Sequence, residues 1–290
     1  MRMDVAGVTF RRITLPGLGL HVAEAGPDSG APTILLHGFP EFWYGWRHQI
    51  GPLAHAGLRV VAPDQRGYGL SDKPQGLDAY HLDRLAGDVI ALADACGFPK
   101  VRLVGHDWGG LVAWWVASHY PERIERLAIL NAPHPGIVGD YMRTHPGQMM
   151  RSYYVGLFQI PRLPERLLTA DRCRALRRAL TSTSRPGAFA AADLDRYVEA
   201  WRQPGAMTAM LNWYRALVRL PRATPPRVRM PTLILWGRRD HALQPGLAKA
   251  SLRLCDNGRI RWFPETTHWI QHEDAPQVNA ALAEFLKAPD

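Results

Sequence analysis

Cysteine is scarce in this chain of 290 residues: Cys96, Cys173 and Cys255 are odd in number and far apart. That excludes a disulfide framework and a C-x-x-C metal or redox pair. It fits a reducing compartment, and the cytoplasm is the expected location. No run approaches the roughly 20 apolar residues of a membrane span, and the opening MRMDVAGVTF lacks the apolar stretch of a signal peptide. A membrane partner is therefore not expected. Lysine is also scarce, with Lys73, Lys100, Lys249 and Lys287 the only ones among 35 basic residues. Hydrophobic residues make up 47% and charged residues 21%, close to the globular average, which argues against a disordered, collagen-like or coiled-coil chain.

The formal charge of +9 is unevenly placed. Residues 137–227 hold 15 arginines, no lysine and six acids (Asp140, Glu165, Asp171, Asp193, Asp195, Glu199), which accounts for all of it; the remainder is balanced. No recognisable nucleic-acid module accompanies the charge, so nucleic acid is not an expected partner. Solvated arginine faces are the leading expectation, with an anionic substrate as the alternative.

Hydrophobic periodicity predicts an opening hairpin (Thr9–Leu15, Leu20–Glu24), then strands at Thr33–Leu36, Arg59–Ala62, Val101–Gly105 and Ile124–Leu130. Helices are predicted at Tyr80–Ala95 and Gly109–His119. The alternation stops near Ile137. To Arg227 the pattern is helical and punctuated by Pro161, Pro164, Pro186, Pro204 and Pro221, before strands at Thr232–Trp236 and Arg259–Phe263 and a helix near Pro276–Leu286. The expected fold class is α/β: a mostly parallel, doubly wound sheet formed by 1–136 and 228–290, interrupted after the sixth strand by a helical insertion, 137–227.

The chemistry-bearing residues follow strand ends. Gly105-His106-Asp107-Trp108-Gly109-Gly110 has the spacing of the nucleophile elbow G-x-S-x-G, with Asp107 at the exposed position. A carboxylate there suits displacement at a saturated carbon with formation of an enzyme ester, although an isolated Asp before a helix would equally be a cap. Asp240, in Gly237-Arg238-Arg239-Asp240, and His268, in Glu265-Thr266-Thr267-His268-Trp269, follow in the order nucleophile, acid, histidine. After the third strand, His37-Gly38-Phe39-Pro40 stands where the first half of an oxyanion hole is expected. The backbone N–H groups of Phe39 and Trp108 are its predicted donors, and Pro40 is a candidate cis proline. His268 and His272 are four apart, but no zinc motif surrounds them; no metal is expected.

With HGFPEFWYGWRHQI at His37–Ile50, PDQRGYGLS at Pro63–Ser71, GHDWGG at Gly105–Gly110, NWYR at Asn212–Arg215 and His268–Trp269, the chain resembles the epoxide hydrolases of the α/β-hydrolase fold along nearly its whole length. The resemblance implies an Asp nucleophile, an Asp–His pair, no cofactor, and two tyrosines from a helical cap holding the epoxide oxygen. By motif these are Tyr214 in NWYR and Tyr154, with Tyr153 as the rival for the first. His37, Phe39, Trp108 and Trp269 are the expected substrate contacts. Trp43, Leu157, Phe158 and Trp213 add to an apolar wall that points to a small apolar epoxide, with water as co-substrate. Haloalkane dehalogenases share the Asp elbow and are the alternative, because Trp108 suits a halide donor. A clear second donor is missing, since Phe39 stands where many of them carry Asn. The sequence carries no signal for oligomeric state.

Overall fold

The computed structural model describes residues 5, 7–219 and 226–288. Among the described residues eight strands form one sheet: β1 (Thr9–Leu15), β2 (Leu18–Ala25), β3 (Ala31–Leu36), β4 (Leu58–Pro63), β5 (Val101–His106), β6 (Ile124–Leu130), β7 (Thr232–Gly237) and β8 (Gly258–Phe263). Their order is β1-β2-β4-β3-β5-β6-β7-β8, antiparallel for β1–β2–β4 and parallel from β4 to β8. Strands buried on both faces read as continuous apolar runs, and β7 is buried at all six of its residues.

The helices are α1 (Ile50–His55), α2 (Leu82–Ala95), α3 (Trp108–His119), α4 (Pro135–Thr144), α5 (Pro146–Arg151), α6 (Tyr153–Leu157), α7 (Leu163–Thr183), α8 (Ala191–Trp201), α9 (Ala206–Leu217), α10 (Pro245–Leu252), α11 (Ile270–Glu273) and α12 (Ala275–Lys287). α4 to α9 all lie between β6 and β7. None of the helices among the described residues is long and apolar enough to cross a membrane.

Several expected boundaries move for local reasons. The helix predicted from Tyr80 is a 3-10 turn over Leu77–Tyr80, an extended His81, and then α2. Tyr80 is buried and its hydroxyl donates to the Pro74 carbonyl, which holds it in the turn. α4 starts at Pro135, where His134 Nδ1 accepts from the Gly136 N–H and a proline at the first helical position costs no hydrogen bond. Pro164, one of the punctuating prolines, stands in the first turn of α7. That helix is interrupted at Ala170–Cys173, where the backbone leaves helical angles. Pro221 lies outside the described residues, as do 220 and 222–225 of the predicted insertion.

Candidate active site

The parallel strands all run the same way, so the loops after β3, β5, β6, β7 and β8 share one edge of the sheet, where such folds bind ligands. Asp107 follows β5 directly and caps α3 with φ 49° and ψ −118°, a conformation that side chains other than glycine seldom adopt. The turn is possible because Gly109 packs on the Leu36 carbonyl, where a Cβ would clash. Gly38 is held to hydrogen by Asp107 itself: a Cβ there would stand 2.5 Å from the Asp107 Cβ.

The Phe39 N–H donates to Asp107 Oδ1 at 2.8 Å, and Phe39–Pro40 is a cis peptide. Trp108 is the first residue of α3, at an end where backbone N–H groups have no intrahelical partner. His268 Nε2 lies 3.5 Å from Asp107 Oδ2, and its Nδ1–H donates to Asp240 Oδ2 at 2.8 Å. Burial alone would depress the His268 pKa, but Asp240 and Asp107 outweigh it and raise it to about 10. Asp240 is also buried. Burial alone would raise its pKa, but His268, the Leu243 N–H and the Asn131 amide hold it below the usual carboxylate range.

Tyr154 and Tyr214 meet above this set, their rings 5.9 Å apart and Tyr214 5.2 Å from Phe39. Burial, with the nearby Asp107 carboxylate, pushes both phenols above their ordinary pKa, so both keep their protons at neutral pH. Tyr153, the rival, is 74% exposed. Trp108 packs on Tyr214 at 4.8 Å and on Trp213 at 5.6 Å, and Phe158 packs on Tyr214 at 5.0 Å. Trp269 is buried beside His268 at 5.0 Å, its indole N–H given to Thr183. His37 differs from its expected role. Its Nε2 accepts from the Gln65 N–H and its Nδ1–H donates to the Gly38 carbonyl, so both nitrogens brace the loop instead of meeting a ligand. Burial holds it neutral.

Two supporting groups were missed by sequence reasoning. Asn131 follows β6 at φ 41° and grips both sides of the acid: its Nδ2 donates to Asp240 Oδ2 at 2.7 Å and its Oδ1 accepts from the Gly237 N–H at 2.9 Å. An Asn directly after the apolar run Ile124–Leu130 was the available signal. The second is Glu41, 1% exposed, which accepts from the Tyr197 hydroxyl at 2.6 Å, His272 Nε2 at 2.7 Å and Gln271 at 3.0 Å. Burial pushes His272 down to about 4, so it is neutral, with its Nδ1 accepting from Arg47. Gln271 also donates to His106 Nδ1, leaving the His106 Nε2–H for the His268 carbonyl at 2.9 Å.

The sequence pattern of the alpha/beta hydrolase fold matches residues 32–275. The chain belongs to that family. It is 46% identical to AB hydrolase superfamily protein YfhM of Bacillus subtilis, over 97% of this chain and 99% of that one. It is 39% identical to Epoxide hydrolase 4 of Mus musculus, covering 96% of this chain and 79% of the relative. Among solved structures, an epoxide hydrolase of Bacillus megaterium in complex with an inhibitor superposes with a TM-score of 0.88 at 30% identity, covering 96% of this chain and 100% of that one. Its epoxide-hydrolase relatives include proteins of animals and bacteria.

Proposed function

We propose that this chain hydrolyses a small apolar epoxide to a vicinal diol through an ester on Asp107, with the helical segment 137–227 acting as a cap over the sheet. The carrying observation is the pair of protonated phenols, Tyr154 and Tyr214, above an Asp107–His268–Asp240 set. Opening an epoxide expels an alkoxide, a poor leaving group that needs a proton donor as the C–O bond breaks. Asp107 attacks one epoxide carbon while the phenols donate to the oxygen, giving a hydroxyalkyl ester.

Esterification removes the negative charge of Asp107. That charge is one of the two that hold a proton on His268, so once the ester has formed His268 gives up its proton, which passes to the phenolate left by donation to the epoxide oxygen; the phenol is restored and His268 becomes a base. Neutral His268, oriented by Asp240, then takes a proton from water, and hydroxide attacks the Asp107 carboxyl carbon. The oxyanion forms where the Phe39 N–H already points, with the Trp108 N–H as second donor. Such a donor typically supplies about 100- to 1000-fold in rate. The diol leaves as His268 returns its proton. No cofactor takes part, and the three free cysteines fit a reducing compartment such as the cytoplasm.

A single turnover in heavy-oxygen water tests the ester. The solvent oxygen enters the Asp107 carboxylate while the first diol carries the old one, so the expected result is unlabelled diol and a labelled Asp107 peptide. Label in the diol from the first turnover would rule out the covalent route.

The charge coupling has its own test. In Asp107→Asn, one of the two carboxylates facing His268 loses its charge, so the histidine should titrate below its wild-type value of about 10 by proton NMR. A pKa raised above the ordinary 6.5 means that the protonated form stabilises the fold below pH 6.5, and that this contribution is lost as pH rises through about 10. Wild-type stability should therefore fall more steeply over that window than that of the variant. Equal slopes would refute the coupling.

A further inference from the structure

We propose that the outer face of the insertion around Ile160–Leu167 and the C-terminal end of α9 docks on an anionic lipid bilayer. Among the described residues, the exposed large apolar side chains gather in the insertion: Met149, Met150, Tyr153, Ile160, Leu163, Leu167 and Val218, against Phe10 and Leu70 elsewhere. Arg215 ties the end of α9 to the chain after α6, donating to the Phe158 and Ile160 carbonyls at 2.9 and 3.1 Å and pairing with Glu165 at 2.8 Å. Around this tie is an open hollow of about 670 Å³, rimmed by Arg162, Arg166 and Arg219. None of these three guanidinium groups has an ion-pair partner among the described residues, and residues 220–225 contain no acid that could supply one.

At the start of α7, Leu163 and Leu167 are four apart and share an exposed face, with the exposed Arg166 beside them and Arg162, the N-cap residue in a left-handed conformation, exposed just before the helix. Pro164 is buried behind them. Basic residues beside an aliphatic face are the pattern of a helix lying in a membrane interface. Charge complementarity selects the occupant, because the insertion carries the whole net +9. A second copy in two-fold contact would oppose arginine to arginine, and a nucleic acid would leave the aliphatic face unmatched. The proposal departs from the expectation of no membrane partner, which rested on the lack of a spanning segment; lying on a surface needs none. Phe158, which packs on Tyr154 at 5.6 Å, is two residues from Ile160, so the docking face adjoins the site. Delivery of a bilayer-dissolved epoxide from this face rests on the proposed activity; the docking does not.

The test is cosedimentation with phosphatidylcholine vesicles, with and without phosphatidylglycerol. Binding should require the anionic lipid, fall at high salt, and resist inorganic phosphate at matched ionic strength. The triple variant Arg162→Gln/Arg166→Gln/Arg219→Gln should bind on the order of 100-fold more weakly. Ile160→Ser/Leu163→Ser/Leu167→Ser should lose roughly tenfold or more. Both should hydrolyse a water-soluble epoxide like the wild type. Absence of vesicle binding, equal binding to neutral vesicles, or wild-type binding by the aliphatic variant would overturn the proposal. So would displacement by phosphate alone, or self-association or oligonucleotide binding abolished by the same substitutions. Vesicle binding by a protein that turns over no epoxide would sink the activity and leave the docking intact.

Discussion

In His268→Gln, added epoxide should convert the enzyme to a stable ester on Asp107, while steady-state diol formation falls by roughly 1000-fold or more. The asymmetry follows from where the protons are. Asp107 needs no base to attack, and the Phe39 N–H that orients its Oδ1 is untouched by the substitution. Water does need one, and His268 Nε2, 3.5 Å from Asp107, is the base in the proposed mechanism. Glutamine keeps a donor toward Asp240 but accepts no proton. Intact mass should therefore show the enzyme heavier by one substrate, with the adduct mapped to the Asp107 peptide. Turnover like that of the wild type would remove His268 from the mechanism.

The other large effect belongs to the phenols. Tyr214→Phe and Tyr154→Phe should each slow ester formation from an epoxide, by about 100-fold if each resembles the loss of an oxyanion donor. The double variant should retain almost none, because the alkoxide then has no donor. The two losses need not add, since the hydroxyls serve one oxygen. Bromide leaves without a proton, so any alkyl-bromide activity should survive both changes and respond instead to Trp108→Phe. Rapid-quench measurement of ester formation from styrene oxide and 1-bromobutane separates the cases. Faster bromide release than epoxide opening in the wild type, with diol formation indifferent to both tyrosines, would favour the dehalogenase reading. A loss confined to Tyr153→Phe would instead move the first donor to that exposed residue.

Much of the fold is legible in the sequence because buried parallel strands are written as apolar runs: Ile124–Leu130 falls at its expected bounds and Val101–Gly105 within one residue. The elbow is legible because its glycines have no substitute. What was hidden depends on which atoms meet across the sheet. Asn131 is separated from Asp240 by 109 positions, and Glu41 from Gln271 by 230; nothing local in either segment records the partner. His37 was assigned toward substrate by its place in a motif, whereas its ring is consumed by backbone groups of the loop. The basic insertion was legible as composition, but the shared face of Leu163 and Leu167 beside Arg166 depends on α7 beginning at Leu163.

The placement of α4 to α9 between β6 and β7 also bears on how the chain is made. β7 pairs with β6, yet about 100 residues separate them, and at synthesis rates of about 5–20 residues per second that interval lasts on the order of 5–20 s. Until β7 is made, the edge of β6 that pairs with it has no partner for its backbone N–H and C=O groups. Asn131 has no Asp240 to hold, and the Asp240–His268 hydrogen bond does not yet exist. Asp240 and His268, which follow β7 and β8, are therefore the last of the candidate site residues to be synthesised.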